Sequence, residues 1–233
     1  MTHGTPPNQA GLDRADIEAL NDRFAREHPI DEYYAASALP IRLIQRSRLR
    51  VIRTMVGHAA GVDLCEVGAG GGHVLRMFPQ ARLTAVDVSS VFLETARRNL
   101  AGYDVRFVKG EVDKLALPDA SYDRIICTEV LEHTLDPEAI LAAIARLLRP
   151  DGVAVITVPN DPYIIRLKRI VARTPIGFVY RTRLDWGADT YHLHRWTPPE
   201  FARLLARHLR ITERRIVPVR AFPIHACFRC VHR

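Results

Sequence analysis

Cysteine is scarce in this chain, four in 233 residues, which excludes a disulfide scaffold and agrees with a reducing compartment. No apolar run approaches the roughly 20 residues that a membrane-spanning helix requires, and the opening segment, Met1 to Leu12, lacks the apolar core of a secretory leader. These absences lead to the expectation of a cytoplasmic protein. Lysine is nearly missing, 3 against 30 arginines, and with the abundant alanine this bias points to a GC-rich bacterial genome and not to a function. What remains is an ordinary globular balance, 48% apolar and 25% charged, which argues against disorder, collagen and coiled coil.

The net charge of +7 is unevenly spread. Residues 62–158 carry 14 acidic and 10 basic groups, whereas residues 159–195 carry 3 and 7, and residues 196–233 carry 2 and 8. A basic excess of this kind suits an acidic metabolite, nucleic acid or anionic lipid, and equally a plain solvated surface.

Residues 1–11 read as a tail. A helix is expected from Leu12 to His28, with Ile17, Leu20 and Phe24 at helical spacing behind Asp13 and with Pro29 as its stop. A second runs from Pro40 to Gly57, with Ile41, Ile44, Leu49, Ile52 and Val56 on one side. Arg42, Arg46, Arg50 and Arg53 line another side, most simply a solvated face. From Val62 the rhythm changes. Short β-prone runs (Val62–Val67, Leu83–Val86, Val105–Val108, Arg124–Thr128, Val153–Val158) alternate with helical segments (Val74–Phe78, Val91–Leu100, Pro137–Leu148). This alternation implies βαβ units and a mostly parallel sheet covered on both faces. After Pro159 the rhythm breaks until a helix from Pro198 to His208, and two β-like runs follow, Leu209–Val219 and Ile224–His232.

The first β-run ends in Glu66-Val67-Gly68-Ala69-Gly70-Gly71-Gly72. Glycines at a strand-to-helix turn let a ligand approach the backbone, and the helix start offers free N–H groups. A dinucleotide fingerprint needs glycine at the position of His73, and the Gly-Lys-Ser/Thr ending of a phosphate loop is missing. Glu66 would repel a pyrophosphate but attract a cationic amine, and Asp87, 19 residues beyond Gly68, suits ribose hydroxyls. A ribose and a cation without phosphates describe S-adenosylmethionine; the alternative is a glycine turn without a ligand.

On these residues, 62–158 resemble the core of class I S-adenosylmethionine-dependent methyltransferases, whose first motif is acidic-x-Gly-x-Gly-x-Gly. Val108-Lys109-Gly110-Glu111-Val112-Asp113 is similar to the family's Gly-Asp-Ala adenine segment, with Glu in place of Asp, and Leu115 to Asp123 keeps the family's length. The resemblance implies an α/β, Rossmann-like, mostly parallel seven-stranded sheet with helices on both faces. It implies S-adenosylmethionine as cofactor, with Glu66, Gly68, Gly70, Gly72, Asp87, Val88, Glu111, Val112 and Thr128 as its binding set. Glu111 would accept from the adenine amino group and the Val112 N–H would reach the ring. By analogy with the fold, residues 1–61 form the tail and a helical lid that includes Tyr33 and Tyr34. Residues 62–233 form the methyltransferase domain, and 159–195 a substrate cap.

Methyl transfer in this class is an in-line displacement that sometimes needs a base. The fourth β-run leads into Cys127-Thr128-Glu129-Val130-Leu131-Glu132-His133, which in the family passes beside the methionine part of the cofactor. His133 is a candidate base, or else a capping or packing group. In a helix or tight turn Glu129, Glu132 and His133 share a face, a donor set suited to Mg or Mn. The cluster, continued by Asp136 and Pro137, resembles the ubiquinone-pathway O-methyltransferases. It more weakly resembles the small-RNA 2′-O-methyltransferases, in which a later histidine completes a metal site. His192, in Tyr191-His192-Leu193-His194-Arg195-Trp196-Thr197-Pro198, matches that histidine. The metal set is therefore Glu129, Glu132, His133 and His192, although metal-free relatives carry comparable Glu-His pairs. His192 and His194 point the same way if extended, so both join His133 as catalytic candidates. The alternative is that they only lead into the helix behind Thr197, a cap followed by Pro198, Pro199 and Glu200.

Tyr163, Ile164, Leu167, Ile170 and Val171 form an apolar stripe beside Arg166, Lys168, Arg169 and Arg173. Such a helix packs on its own domain or rests on an anionic membrane. Cys227 and Cys230 would face opposite sides of a strand and so not share a zinc ion, while Cys65 and Cys127 read as core. The expected function is methyl transfer to a small-molecule acceptor in biosynthesis, at a hydroxyl oxygen. The alternatives are a metal-dependent RNA 2′-O-methyltransferase and a non-catalytic cofactor-binding partner protein. Oligomeric state has no signature in the chain.

Overall fold

The structure, a computed structural model, describes residues 14–27, 39–174 and 192–233. The expectations for residues 1–13, for Tyr33 and Tyr34, and for 175–191 within the cap, Tyr191 included, lie outside the described residues.

Five parallel strands form most of one sheet: β1 (Asp63–Val67), β2 (Arg82–Asp87), β3 (Val105–Lys109), β4 (Tyr122–Thr128) and β5 (Leu148–Pro159). β6 (Arg210–Val219) and β7 (Phe222–Val231) are joined by a two-residue turn, a length that only antiparallel neighbours allow, and β7 also pairs antiparallel with β5. The spatial order is β3-β2-β1-β4-β5-β7-β6. The expected seven strands and mostly parallel sheet are present.

Six helices are described: α1 (Arg14–Glu27), α2 (Leu39–Val56), α3 (Ser90–Asn99), α4 (Pro137–Leu147), α5 (Asp161–Val171) and α6 (Pro198–Leu205). Their starts follow local chemistry. The Ser89 side chain accepts from the Phe92 N–H at 3.2 Å, and Asp136 accepts from the Ala139 N–H at 3.0 Å with Pro137 behind it. At α6 the Thr197 N–H and hydroxyl both donate to Glu200, at 2.8 and 2.7 Å.

The strands read as unbroken apolar runs because both faces are covered. Cys65, Ile125, Cys127, Ile156 and Phe228 pack on the face that carries Ile140, Leu141 and Ile144 of α4 and Phe201 and Leu205 of α6. Leu64, Ile126, Val155 and Cys227 alternate with them and meet Leu93 and Ala96 of α3 and Ile52, Met55 and Val56 of α2. The second half of α2 is thus part of the core under the sheet. Cys227 and Cys230 fall in the two different clusters, as the strand period requires.

Three local expectations are corrected. Val74–Phe78 is not a helix but a single tight turn over Leu75–Met77, since Pro79 follows at once and Leu75 and Phe78 are drawn into the core. The helix expected to His208 ends at Leu205. The stripe after Pro159 is a helix but covers only part of its length: Ile164 is buried, whereas Ile170 is 52% exposed. Among the described residues no helix is long and apolar enough to cross a membrane.

Candidate active site

Parallel strands bring the loops that follow them to one edge of the sheet, where α/β proteins place their sites. After β1 the chain turns back onto β2, with Gly68 and Ala69 N–H donating to the Val86 carbonyl at 2.8 and 3.0 Å. Gly68 has φ +72°, and a Cβ there would collide with Val130 Cγ2, so the turn requires glycine. Asp87, at the tip of β2, accepts from the Gly70 N–H at 2.8 Å with one oxygen and from the Ser89 N–H at 2.9 Å with the other. Each oxygen keeps acceptor capacity for a ligand hydroxyl. Burial pushes the Asp87 carboxyl up to about 6 against these hydrogen bonds.

Glu66 lies beneath the loop, 1% exposed, with no hydrogen-bond partner for Oε2. Burial, and then the charge of Asp87, push its carboxyl well above the usual range, with Arg48 opposing. Beside Asp87, the residues Val88, Gly110, Glu111 and Lys114 line a cleft of about 450 Å³, open solvent included, whose remaining wall is Glu18 of α1. Val112 buries its side chain in the core, and Thr128 ends β4 opposite Thr157 of β5. The expected cofactor residues therefore gather along β1, β2, β3 and β4 at one edge. α1 crosses this edge: Glu18 pairs with Lys109, and Asp22 accepts from the Ser89 and Ser90 hydroxyls.

Next to the glycine loop, the turn after β4 carries the acidic and histidine cluster. Glu129 has φ +56°, uncommon for a residue with a side chain, and is held on several sides. Its N–H donates to the Thr157 carbonyl at 3.1 Å, the Thr157 hydroxyl donates to Oε1 at 2.8 Å, and His225 Nδ1 lies 2.9 Å from Oε2. Arg48 of α2 adds its guanidinium at 3.4 Å. Burial alone would raise the Glu129 carboxyl, but His225 and then Arg48 outweigh it and hold the group below its usual range. Glu132 is the opposite case. Neither of its buried oxygens bonds another residue, and burial, with Glu129 nearby, pushes its carboxyl well up.

One oxygen of Glu132 and one nitrogen each of His133 and His192 lie within 4.8 Å of one another. The His133 and His192 rings meet edge to face, centroids 4.7 Å apart. His192 is buried, with Nδ1 2.7 Å from Asp161 Oδ2. Two expected members stand apart from this group. Glu129 faces Arg48, His225 and Thr157, so three of the four expected metal ligands converge and the fourth does not. His194 does not share the direction of His192, because the segment is not extended there: the Leu193 and His194 N–H groups both fold onto the Glu132 carbonyl, at 2.7 and 3.1 Å. His194 instead places Nε2 2.9 Å from the Thr134 carbonyl and stacks on Trp196.

Sequence reasoning missed Arg48, Thr157, Asp161 and His225. For Asp161 a signal existed, an acid two residues after a parallel strand at a helix start. Arg48 had none, being one arginine among many on its helix.

Residues 65–156 match the family model described as methyltransferase domain. The ubiquinone biosynthesis O-methyltransferase of Xanthomonas euvesicatoria is 31% identical over 150 residues, 62% of this chain and 60% of that protein. That of Bordetella avium is 33% identical over 146 residues, 60% of this chain and 59% of that protein. The chain thus spans about three fifths of the length of these curated relatives. Among solved structures, magnesium protoporphyrin IX methyltransferase from Synechocystis with bound S-adenosylhomocysteine superposes with a TM-score of 0.67 at 17% identity, covering 92% of this chain and 99% of that one. The 1,6-didemethyltoxoflavin-N1-methyltransferase of Burkholderia thailandensis gives 0.63 at 22% identity, covering 97% and 93%. Residues 65–156 match a methyltransferase domain, and the seven-stranded sheet built around them has the fold of these solved methyltransferases.

Proposed function

We propose that the protein is a cytoplasmic S-adenosylmethionine-dependent methyltransferase acting on a hydroxyl oxygen of a small molecule. The observation that carries this reading is the adjacency, at one sheet edge, of the Gly68–Gly72 loop braced by Asp87 and the Glu132–His133–His192 cluster. The bound sulfonium nucleoside supplies an electrophilic methyl group. Asp87 accepts from ribose hydroxyls, Glu111 and the Val112 N–H address adenine, and Glu66 answers a cationic amine, whose charge favours the ionised form of its buried carboxyl. Val88 and Thr128 flank the cofactor. His133 and His192 face the acceptor, and one of the two imidazoles takes its proton as the oxygen attacks. Within residues 1–61, α1 supplies the lid over this edge, and within 159–195 the start of α5 and His192 border the acceptor side. The O-methyltransferase relatives favour oxygen over other acceptors.

A divalent cation, Mg or Mn, is a second reading, favoured by the unpartnered carboxylate of Glu132 beside two imidazoles. Glu132, His133 and His192 would hold it, and it would acidify the acceptor hydroxyl. The test is transfer of labelled methyl from S-adenosylmethionine to a panel of phenols and catechols, with and without EDTA. Transfer that survives EDTA supports the histidine base. Transfer that EDTA abolishes and Mg restores supports the metal. Binding of the donor with transfer to none of the panel overturns the hydroxyl assignment.

A further inference from the structure

Asp161 plays no part in the reading so far. It is the first residue of α5, two past the end of β5, and its neighbour Asn160 is tied to β7. The Asn160 N–H donates to the Ile224 carbonyl at 2.8 Å and its amide to the Pro223 carbonyl at 3.0 Å. Asp161 is 1% exposed and places Oδ2 2.7 Å from His192 Nδ1. Its other oxygen makes no hydrogen bond. From the opposite side, the backbone after His192 is clamped on the Glu132 carbonyl, so the imidazole is fixed between two anchored segments.

We propose that Asp161 is the positioning residue of His192, keeping a proton on Nδ1 and so leaving Nε2 as the nitrogen that receives the acceptor's proton. The proposal rests on the methyltransferase reading and names which nitrogen of the cluster acts. An ionised carboxylate only accepts, so the nitrogen facing Asp161 must be the donor. Turning the ring over would leave the buried carboxylate with no partner at all, an arrangement native proteins avoid. In the step itself the acceptor oxygen bonds the methyl carbon, the carbon–sulfur bond breaks with its electron pair going to sulfur, and the hydroxyl proton moves to Nε2. The imidazolium so formed is stabilised by the adjacent Asp161 side chain.

The test is long-range proton–nitrogen NMR on the ¹⁵N-labelled full chain at pH 8, with and without S-adenosylhomocysteine, His192 being assigned by its loss in His192→Gln. The expected result is a protonated Nδ1 and a bare Nε2. Asp161→Asn, whose amide can donate, is expected to move the proton to Nε2, and Asp161→Glu to keep it on Nδ1. A protonated Nε2 in the unaltered chain, or an Asp161→Asn chain indistinguishable from it, overturns the proposal. The ligand arm separates the two levels. Binding with the wrong nitrogen protonated defeats only the Asp161 assignment, and the expected tautomer without binding defeats only the methyltransferase reading.

Discussion

Arg48 and Glu129 meet 3.4 Å apart, with 7% and 21% of their side-chain surfaces exposed, and so join helix α2 to the turn after β4. Glu129 holds a left-handed backbone conformation that unaided would relax. The arginine therefore supports the shape of the turn that carries Glu132 and His133. Arg48→Met leaves a carboxylate partly buried with His225 and Thr157 alone. A loss of about 3 kcal/mol is expected in urea unfolding at pH 7. Because the folded-state pKa of Glu129 lies below its ordinary value of 4.5, its contribution is present above that value and lost as pH falls through the lower one. The gap between the two proteins should therefore be full at pH 7 and narrow only in strong acid.

At Gly68 the prediction turns on both φ and space. Gly68→Ala forces a positive φ on alanine and drives its Cβ into Val130, so a loss of roughly 1–3 kcal/mol and failure to bind S-adenosylhomocysteine are expected. Gly102→Ala shares the positive φ but has nothing within 4 Å, and should keep binding. Adding Val130→Ala should recover part of the loss at Gly68, read by thermal unfolding with and without ligand.

The cofactor side of the site was legible in the sequence because its chemistry is local. Glu66, the glycines and Asp87 lie at strand ends whose apolar runs announce themselves, and their spacing carries the ligand logic. The other side is made by segments far apart in the chain. Arg48 comes from a helix whose pattern marks other arginines as solvated, and His225 sits in a strand that reads as ordinary core. His194 was misjudged because two backbone bonds to Glu132 break the extended geometry that would align it with His192. The helix expected over Val74–Phe78 failed for lack of room between Gly72 and Pro79.

Asp87 links cofactor binding to pH. Its carboxyl is pushed up to about 6 by burial, and hydroxyls are best accepted by the ionised form. Affinity for S-adenosylhomocysteine should fall as pH drops below about 6. Asp87→Asn should weaken binding roughly 10- to 100-fold at pH 7.5 and lose the fall centred near pH 6, as measured by calorimetry across pH 5–8.

His133→Ala and His192→Gln should each lower methyl transfer by about 10²- to 10⁴-fold while leaving S-adenosylhomocysteine affinity within twofold. His194→Gln should change transfer little, since Nε2 of His194 serves the Thr134 carbonyl. Parallel steady-state rates and binding isotherms check this.

Calorimetric titration of the full chain with S-adenosylhomocysteine, and separately with ATP and NADH, bears most directly on whether carboxylates at the tips of β1 and β2 hold a phosphate-free nucleoside. Saturable heat at one site for the first ligand and none for the other two is the expected result. Heat from ATP or NADH, with none from S-adenosylhomocysteine, would contradict it.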